Sequence, residues 1–182
     1  MMAEQQVYIG LGSNLGDSRA ILRYALEHIA TIPHTSGLEV SSFYETPPIS
    51  DIPQPNYING VCRFKTNLEA DVLFSHLQHI ETLHGRTLQS EQPKNAPRRL
   101  DLDILFYGNG TYHAKGLEIP HPRWNQRLFV LIPLLDLTPT INVPNASGYT
   151  TVDIAGMIAA FPPGEKEQIL PITEELSCIP FT

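Results

Sequence analysis

Asp101 and Asp103 stand two residues apart in "LDLDILFY", with Arg98 and Arg99 just before them and His121 further on. Side chains alternate along an extended chain, so the two carboxylates share one face with Cα atoms ~6–7 Å apart and can converge on one or two divalent cations. Oxygen ligands without cysteine favour Mg²⁺, which pairs one or two carboxylates with substrate phosphates. Two such ions ~3.5–4 Å apart bridge phosphates in phosphoryl transfer. A D-x-D pair by itself is more often a solvated acidic face, and a group of arginines a set of surface ion pairs. Acids flanked by arginines and by a histidine read instead as metal sites beside phosphate clamps.

A second constellation surrounds "TPPISDIPQPNY", Thr46 to Tyr57, whose four prolines stiffen an extended loop. One reading is a rigid connection between strands. With Tyr57 and Asn59 just beyond it, the loop also offers an aromatic face, an amide that donates and accepts, and backbone groups held without entropy cost. That combination suits a flat heteroaromatic ligand with several hydrogen-bonding edges. The glycines of "VYIGLGSNLGDSRAIL" do not form a dinucleotide fingerprint, because Gly10, Gly12 and Gly16 read G-x-G-x-x-x-G and no lysine closes a Walker loop. His76 and His79, spaced H-x-x-H, lack a third ligand and read as surface or packing residues.

The elements that position these groups follow from the apolar pattern. After the first strand, Asp17 or Ser18 caps a helix with the stripe Ile21, Leu22, Ala25, Leu26, Ile29. "LEVSSFYE" reads as one strand and "INGVCRFKT" as the next. Leu73, Leu77 and Ile80 mark a second helix ending at Gly85. In "LDLDILFY" Asp101, Asp103, Leu105 and Tyr107 are expected on one face, with Leu100, Leu102, Ile104 and Phe106 packing the core. "QRLFVLIPLLDL" reads as helical despite Pro133, "TVDIAGMIAAF" as a short amphipathic helix, and Pro162 to Thr182 shows no pattern. The order strand, helix, strand, strand, helix, strand predicts an α+β, ferredoxin-like fold, an antiparallel sheet with helices on one face. We expect one domain over residues 1–161 and a tail over 162–182.

Composition sets outer bounds. The 182 residues are 42% hydrophobic and 17% charged, a globular balance. No apolar run reaches the ~20 residues of a membrane helix and "MMAEQQ" has no signal-peptide pattern, so a cytoplasmic protein with no membrane partner is expected. Cys62 and Cys178 lie far apart, and Cys62 reads as a small core residue. A net charge of −7 argues against nucleic acid as a partner. Yet Arg86, Lys94, Arg98, Arg99, Lys115, Arg123 and Arg127 cluster in a stretch with few acids, a local positive field suited to a small polyanion.

The stretches "GLGSNLGD", "SSFYETPPI", "YING", "HGR", "PRRLDLDIL" and "IPHPRWNQRLFVLIPL" occur in the order seen in the 6-hydroxymethyl-7,8-dihydropterin pyrophosphokinases of folate biosynthesis, which this sequence resembles from about Tyr8 to Leu137. The resemblance implies transfer of the β,γ-pyrophosphoryl group of ATP to the pterin hydroxymethyl oxygen, releasing AMP, with two Mg²⁺ per ATP held by Asp101 and Asp103. It implies Arg86 and Arg98 as catalytic phosphate contacts and Glu81, Ile104, His121 and Arg127 as further ATP contacts. For the pterin it implies Gly12, Thr46, Pro47, Pro48, Ile49, Tyr57, Asn59 and Phe129, with Gly12 admitting the ring to the backbone and Ser13 and Asn14 ordering the turn. Contacts with other folate-pathway enzymes are a further expectation.

The sequence departs from that pattern before the aspartates: Leu88 replaces a second arginine, and "NAPR" stands where a tryptophan-bearing Trp-Gly-Pro-Arg is usual. The loop there closes over both substrates in the family, and Lys94 is the nearest substitute for the missing charge. A different reading is therefore a non-catalytic or weakly active pterin- or nucleotide-binding relative. A nucleotide-sugar transferase, which also uses D-x-D, needs a larger nucleotide-binding domain than this chain supplies.

Overall fold

The computed structural model describes residues 3–85 and 96–173. Arg86, Leu88, Lys94 and the tryptophan-less "NAPR" start at Asn95 lie outside the described residues.

Strand β1 (Gln5–Ser13) leads through Gly16, whose φ of 75° is one that glycine adopts without strain, into α1 (Ser18–Ala30). The helix starts at Asp17, whose carboxylate accepts the Ala20 N–H at 3.1 Å. Strands β2 (Thr35–Val40), β3 (Tyr44–Thr46) and β4 (Tyr57–Thr66) follow, then α2 (Ala70–Leu83) and β5 (Asp101–Tyr107). Beyond β5 come the hairpin β6 (Tyr112–Ala114) and β7 (Leu117–Ile119), a turn of 3₁₀ helix at Trp124–Gln126, and α3 (Leu128–Leu137). The chain continues as the hairpin β8 (Thr140–Asn145) and β9 (Gly148–Asp153), then α4 (Ile154–Ala159), α5 (Pro163–Lys166) and β10 (Leu170–Pro171).

The main sheet runs β10-β3-β4-β1-β5 with β2 also on β4, and every pairing is antiparallel. This is the expected α+β order, with β1 central between β4 and β5. The helices, expected on one face, cover both. Val7, Ile9, Leu11, Leu102 and Ile104 pack against the stripes of α1 and α2, including Leu22, Leu26, Leu73 and Leu77. On the opposite face Tyr8, Val61, Leu105 and Phe106 pack against Val130, Leu131 and Leu134 of α3 and Ile154 of α4.

That second core overturns part of the alternation expected for β5. The β1–β5 register shifts between Tyr8 and Ile9, which pair with Phe106 and Ile104, so Leu105 is the extra residue of a bulge. Past it, Phe106 joins Leu105 on the α3 side, and Tyr107 crosses to the first core, its hydroxyl bonded to the Leu68 carbonyl. Asp101 and Asp103 precede the bulge and keep their shared face.

"LEVSSFYE" is two strands rather than one. Ser41 bonds both ways to Val61, its N–H to the Val61 carbonyl and its Oγ from the Val61 N–H, each at 2.9 Å. A side chain thereby takes the place of a ladder carbonyl, and the chain steps past Phe43 before β3 pairs again. "TVDIAGMIAAF" is helical only from Ile154, because Asp153 ends β9 and caps α4 by accepting the Gly156 N–H at 3.0 Å. Beyond Pro162, β10 pairs with β3, the Ile172 N–H bonds the Phe43 carbonyl at 2.9 Å, and Ile172 packs on the first core.

Candidate active site

Two cavities meet at Asp103 of β5. The larger, of about 440 Å³, is lined by Gly12, Thr46, Pro47, Pro48, Ile49, Tyr57, Asn59, Arg98, Asp101, Asp103, His121, Arg127 and Phe129. Those are thirteen of the residues the sequence singles out, drawn from β1, the Pro-rich loop, β4, β5 and the segment before and into α3. The smaller, of about 320 Å³, is lined by Phe74, Ile104, Leu117, Glu118 and Pro122 among others, and Asp103 and His121 border both. Ile104 thus sits in the smaller cavity and not with the residues of the larger one.

The floor of the large cavity is set by a close approach. Gly12 pairs with Asn59 across β1–β4, and a Cβ on Gly12 would lie 2.7 Å from Asn59 Oδ1. Glycine leaves that space to the amide, whose Nδ2 donates to Thr46 Oγ1 at 2.7 Å. Asn59 and Thr46 are both buried, which makes the bond a fixed feature of the wall. Tyr57 Oη donates to the Ala96 carbonyl at 3.3 Å, and burial, then the Asp101 charge, raises its pKa. Opposite, the Arg127 guanidinium lies 5.4 Å from the centroid of the Phe129 ring, a cation–π contact.

Asn14 does more than order its own turn. It is buried, its N–H and Oδ1 bond the Arg98 carbonyl and N–H at 3.0 and 2.8 Å, and its Nδ2 donates to Gln54 Oε1 and the Pro55 carbonyl at 2.8 and 3.0 Å. One amide therefore ties the Pro-rich loop to the backbone that carries Arg98.

Around the carboxylates the charges are interlocked. Arg98 forms an ion pair with Asp101; burial works against the Arg98 charge, but Asp101, with Asp103 and Tyr57, outweighs it and raises the pKa. Arg127 Nη1 stands 4.0 Å from Asp103 Oδ2, and burial, then Arg123, lowers the Arg127 pKa. His121 Nε2 lies 3.7 Å from the same oxygen. Burial, followed by the Arg127 and Arg123 charges, brings the His121 pKa down to about 4, so its ring is neutral at physiological pH. Its Nδ1 accepts the Arg123 N–H at 3.1 Å, which leaves the proton on Nε2, facing the acids.

Glu81 lines neither cavity. It is buried under β5 and accepts the Leu102 N–H at 2.8 Å, holding the backbone between the two aspartates. Arg86 lies outside the described residues. Gln54, Arg123 and Gln126 also line the large cavity, though sequence reasoning did not select them. Arg123 had one signal, its place in the basic cluster; the two glutamines had none, since a polar residue in a loop is ordinary. Among the described residues no group of three or more His, Cys, Asp or Glu could hold a metal, and no helix is long and apolar enough to cross a membrane. Two carboxylates facing a cavity with phosphate-competent cations do fit Mg²⁺, which takes its other ligands from water and phosphate.

The family model for 7,8-dihydro-6-hydroxymethylpterin-pyrophosphokinase (HPPK) matches residues 8–139. The chain is similar to the 2-amino-4-hydroxy-6-hydroxymethyldihydropteridine pyrophosphokinase of Pseudomonas aeruginosa, 38% identical over 141 residues that cover 78% of this chain and 85% of that protein. It is similar to the Folic acid synthesis protein fol1 of Pneumocystis carinii, 35% identical over 178 residues, 98% of this chain and 23% of that protein. A solved HPPK-DHPS chain of Plasmodium falciparum has a TM-score of 0.67 at 15% identity, covering 92% of this chain and 46% of that one. The chain thus spans less than half of that solved chain, and at such identity the likeness speaks for the fold alone.

Proposed function

Because the chain belongs to the 7,8-dihydro-6-hydroxymethylpterin-pyrophosphokinase family, we propose that its two cavities hold the two substrates of that reaction. The protein transfers pyrophosphate from ATP to the hydroxymethyl group of 6-hydroxymethyl-7,8-dihydropterin, releasing AMP, in folate biosynthesis. The observation that carries the assignment is the shared border: Asp103 and His121 line both cavities, so ligands in each meet at the carboxylates. The pterin lies in the larger, its amide edge on Asn59 and Thr46 and its face on Phe129 and Tyr57, between Gly12 and the wall of Pro47, Pro48 and Ile49. The adenine lies beside Ile104, Phe74 and Leu117, and the phosphates cross to the larger cavity past His121, Arg98, Arg123 and Arg127.

In the transfer the pterin oxygen bonds to the β-phosphorus, the bond from that phosphorus to the α,β-bridging oxygen breaks, and AMP leaves with the electron pair. Arg98 and Arg127 orient the phosphates and offset charge as it shifts. His121 donates from Nε2 to a phosphate oxygen. Asp103 accepts the hydroxyl proton. Asp101 and Asp103 would hold Mg²⁺, with two ions per ATP expected, which would supply positive charge against the phosphates. Relatives named as pyrophosphokinases at 37–38% identity give the non-catalytic reading no support. Association with other folate enzymes is a further proposal, supported by the HPPK-DHPS chains of which this chain covers 45–46%.

The test is AMP release from ATP and Mg²⁺ on addition of the reduced hydroxymethyl pterin. Asp101→Ala and Asp103→Ala should each lower the rate at least ~100-fold with the fold intact; unchanged rates remove the metal assignment. Asp103→Asn should abolish turnover while ATP and Mg²⁺ still bind, and a wild-type rate would rule Asp103 out as the base.

A further inference from the structure

The last turn of α3 is held to the sheet by polar contacts that the transfer itself does not use. Asp136, exposed at the surface, accepts the Ser42 N–H at 3.1 Å and the Tyr44 Oη–H at 2.9 Å on the same oxygen, Oδ2. One residue on, the Leu137 carbonyl accepts from Arg63 Nη1 at 2.7 Å. Arg63 is itself fixed by Glu39 through bonds of 3.1 and 2.7 Å. Donors from the β2–β3 step, from β3 and from β4 thus converge on two consecutive residues.

The other end of the same helix begins just after Arg127 and carries Phe129, both at the large cavity. Between the ends the contacts are apolar: Val130, Leu131 and Leu134 lie in the second core. Apolar packing is non-directional, so by itself it specifies the height and rotation of the helix less sharply than bonds with preferred geometry do. Hydrogen bonds have preferred lengths and angles, so they fix what the core leaves loose. The anchor also shares a strand with the wall it faces: β3 presents Tyr44 to Asp136 and Thr46 to Asn59.

We propose that Asp136 is a positioning residue that, by holding the last turn of α3 to Ser42 and Tyr44, sets the height and rotation of the helix and so the place of the Phe129 ring against Asn59 and Thr46. This rests on the reading of the large cavity as the pterin site. Stacking is directional and Phe129 has a short side chain, so a shift of the helix reaches its ring in full. The long Arg127 side chain absorbs the same shift through its rotamers.

The experiment uses the full chain well below its unfolding temperature, with Asp136→Ala, Asp136→Asn and Tyr44→Phe. Asp136→Ala should raise KM for the pterin by roughly 10-fold and leave KM for ATP unchanged, a sub-ångström misplacement being enough for such a loss. Asp136→Asn keeps an oxygen for both donors and should cost less, which also keeps the test open if the alanine variant folds poorly. Trp124, the one tryptophan, stands just before α3 and packs edge-on to Phe106 at 4.9 Å, so its near-UV circular dichroism should change in Asp136→Ala. A variant that loses thermal stability while both KM values and the tryptophan signal stay wild-type overturns the proposal, as does an equal rise in both KM values. If the wild type releases no pterin-dependent AMP, the functional reading falls and the tryptophan signal alone decides the anchor: a change upholds it, and no change removes it.

Discussion

At the scale of single residues, the site is built by what small side chains leave open and by what buried ones are denied. Gly12 is the first case: any larger residue meets Asn59 Oδ1 at 2.7 Å and must push the amide off Thr46. Gly12→Ala should therefore raise KM for the pterin about 10-fold or more, at a cost to stability of about 1–3 kcal/mol from strain and from weakening a buried hydrogen bond; steady-state kinetics and thermal melts check both. Cys62 is the second. It is fully buried and burial pushes its thiol pKa up, so no thiolate is available as a nucleophile. Native labelling followed by peptide mapping should find Cys62 unmodified until denaturant is added.

At the scale of elements, β3 and α3 act as one unit because Tyr44 and Asp136 are bonded. Burial first, and Asp136 second, push the Tyr44 phenol from 10.0 up to about 12. The folded state keeps this proton where the unfolded chain loses it, so the contribution to stability is complete below pH 10.0 and is lost as pH rises towards about 12. An ultraviolet titration should show a late tyrosine phase, to which Tyr57 and Tyr107 also contribute, that loses one tyrosine's amplitude in Tyr44→Phe. In Asp136→Ala the Tyr44 share should move back towards the ordinary value. The elements most legible in the sequence were those whose pattern has one period and one buried face, α1, α2 and the first half of β5. Those it missed were decided by single contacts: Ser41 breaking a strand in two, and Leu105 bulging so that Phe106 faces α3. No local pattern marks either, since each depends on a partner far along the chain.

At the scale of the whole molecule, β10 closes the edge of the main sheet, although the described residues that line both cavities all precede Pro162. Ending the chain at Phe161 uncovers β3 and the bed of the partly buried Ile172, worth about 1–2 kcal/mol of apolar burial. The melting temperature should then fall by roughly 2–8 °C while pterin-dependent AMP release persists; an unchanged melt would show that β10 contributes nothing. The sequence by itself determined the chemistry, because carboxylates two apart, clustered arginines and a proline-stiffened loop carry their properties wherever they are placed. It also determined the α+β order, because apolar periodicity is local. Only the tertiary structure decided the rest: that Asn14 joins the Pro-rich loop to Arg98, that Glu81 serves the β5 backbone instead of a cavity, and that α3 covers the second face. Those outcomes are pairings between distant segments, and a hydrogen bond's partner is fixed by where the folded chain brings it.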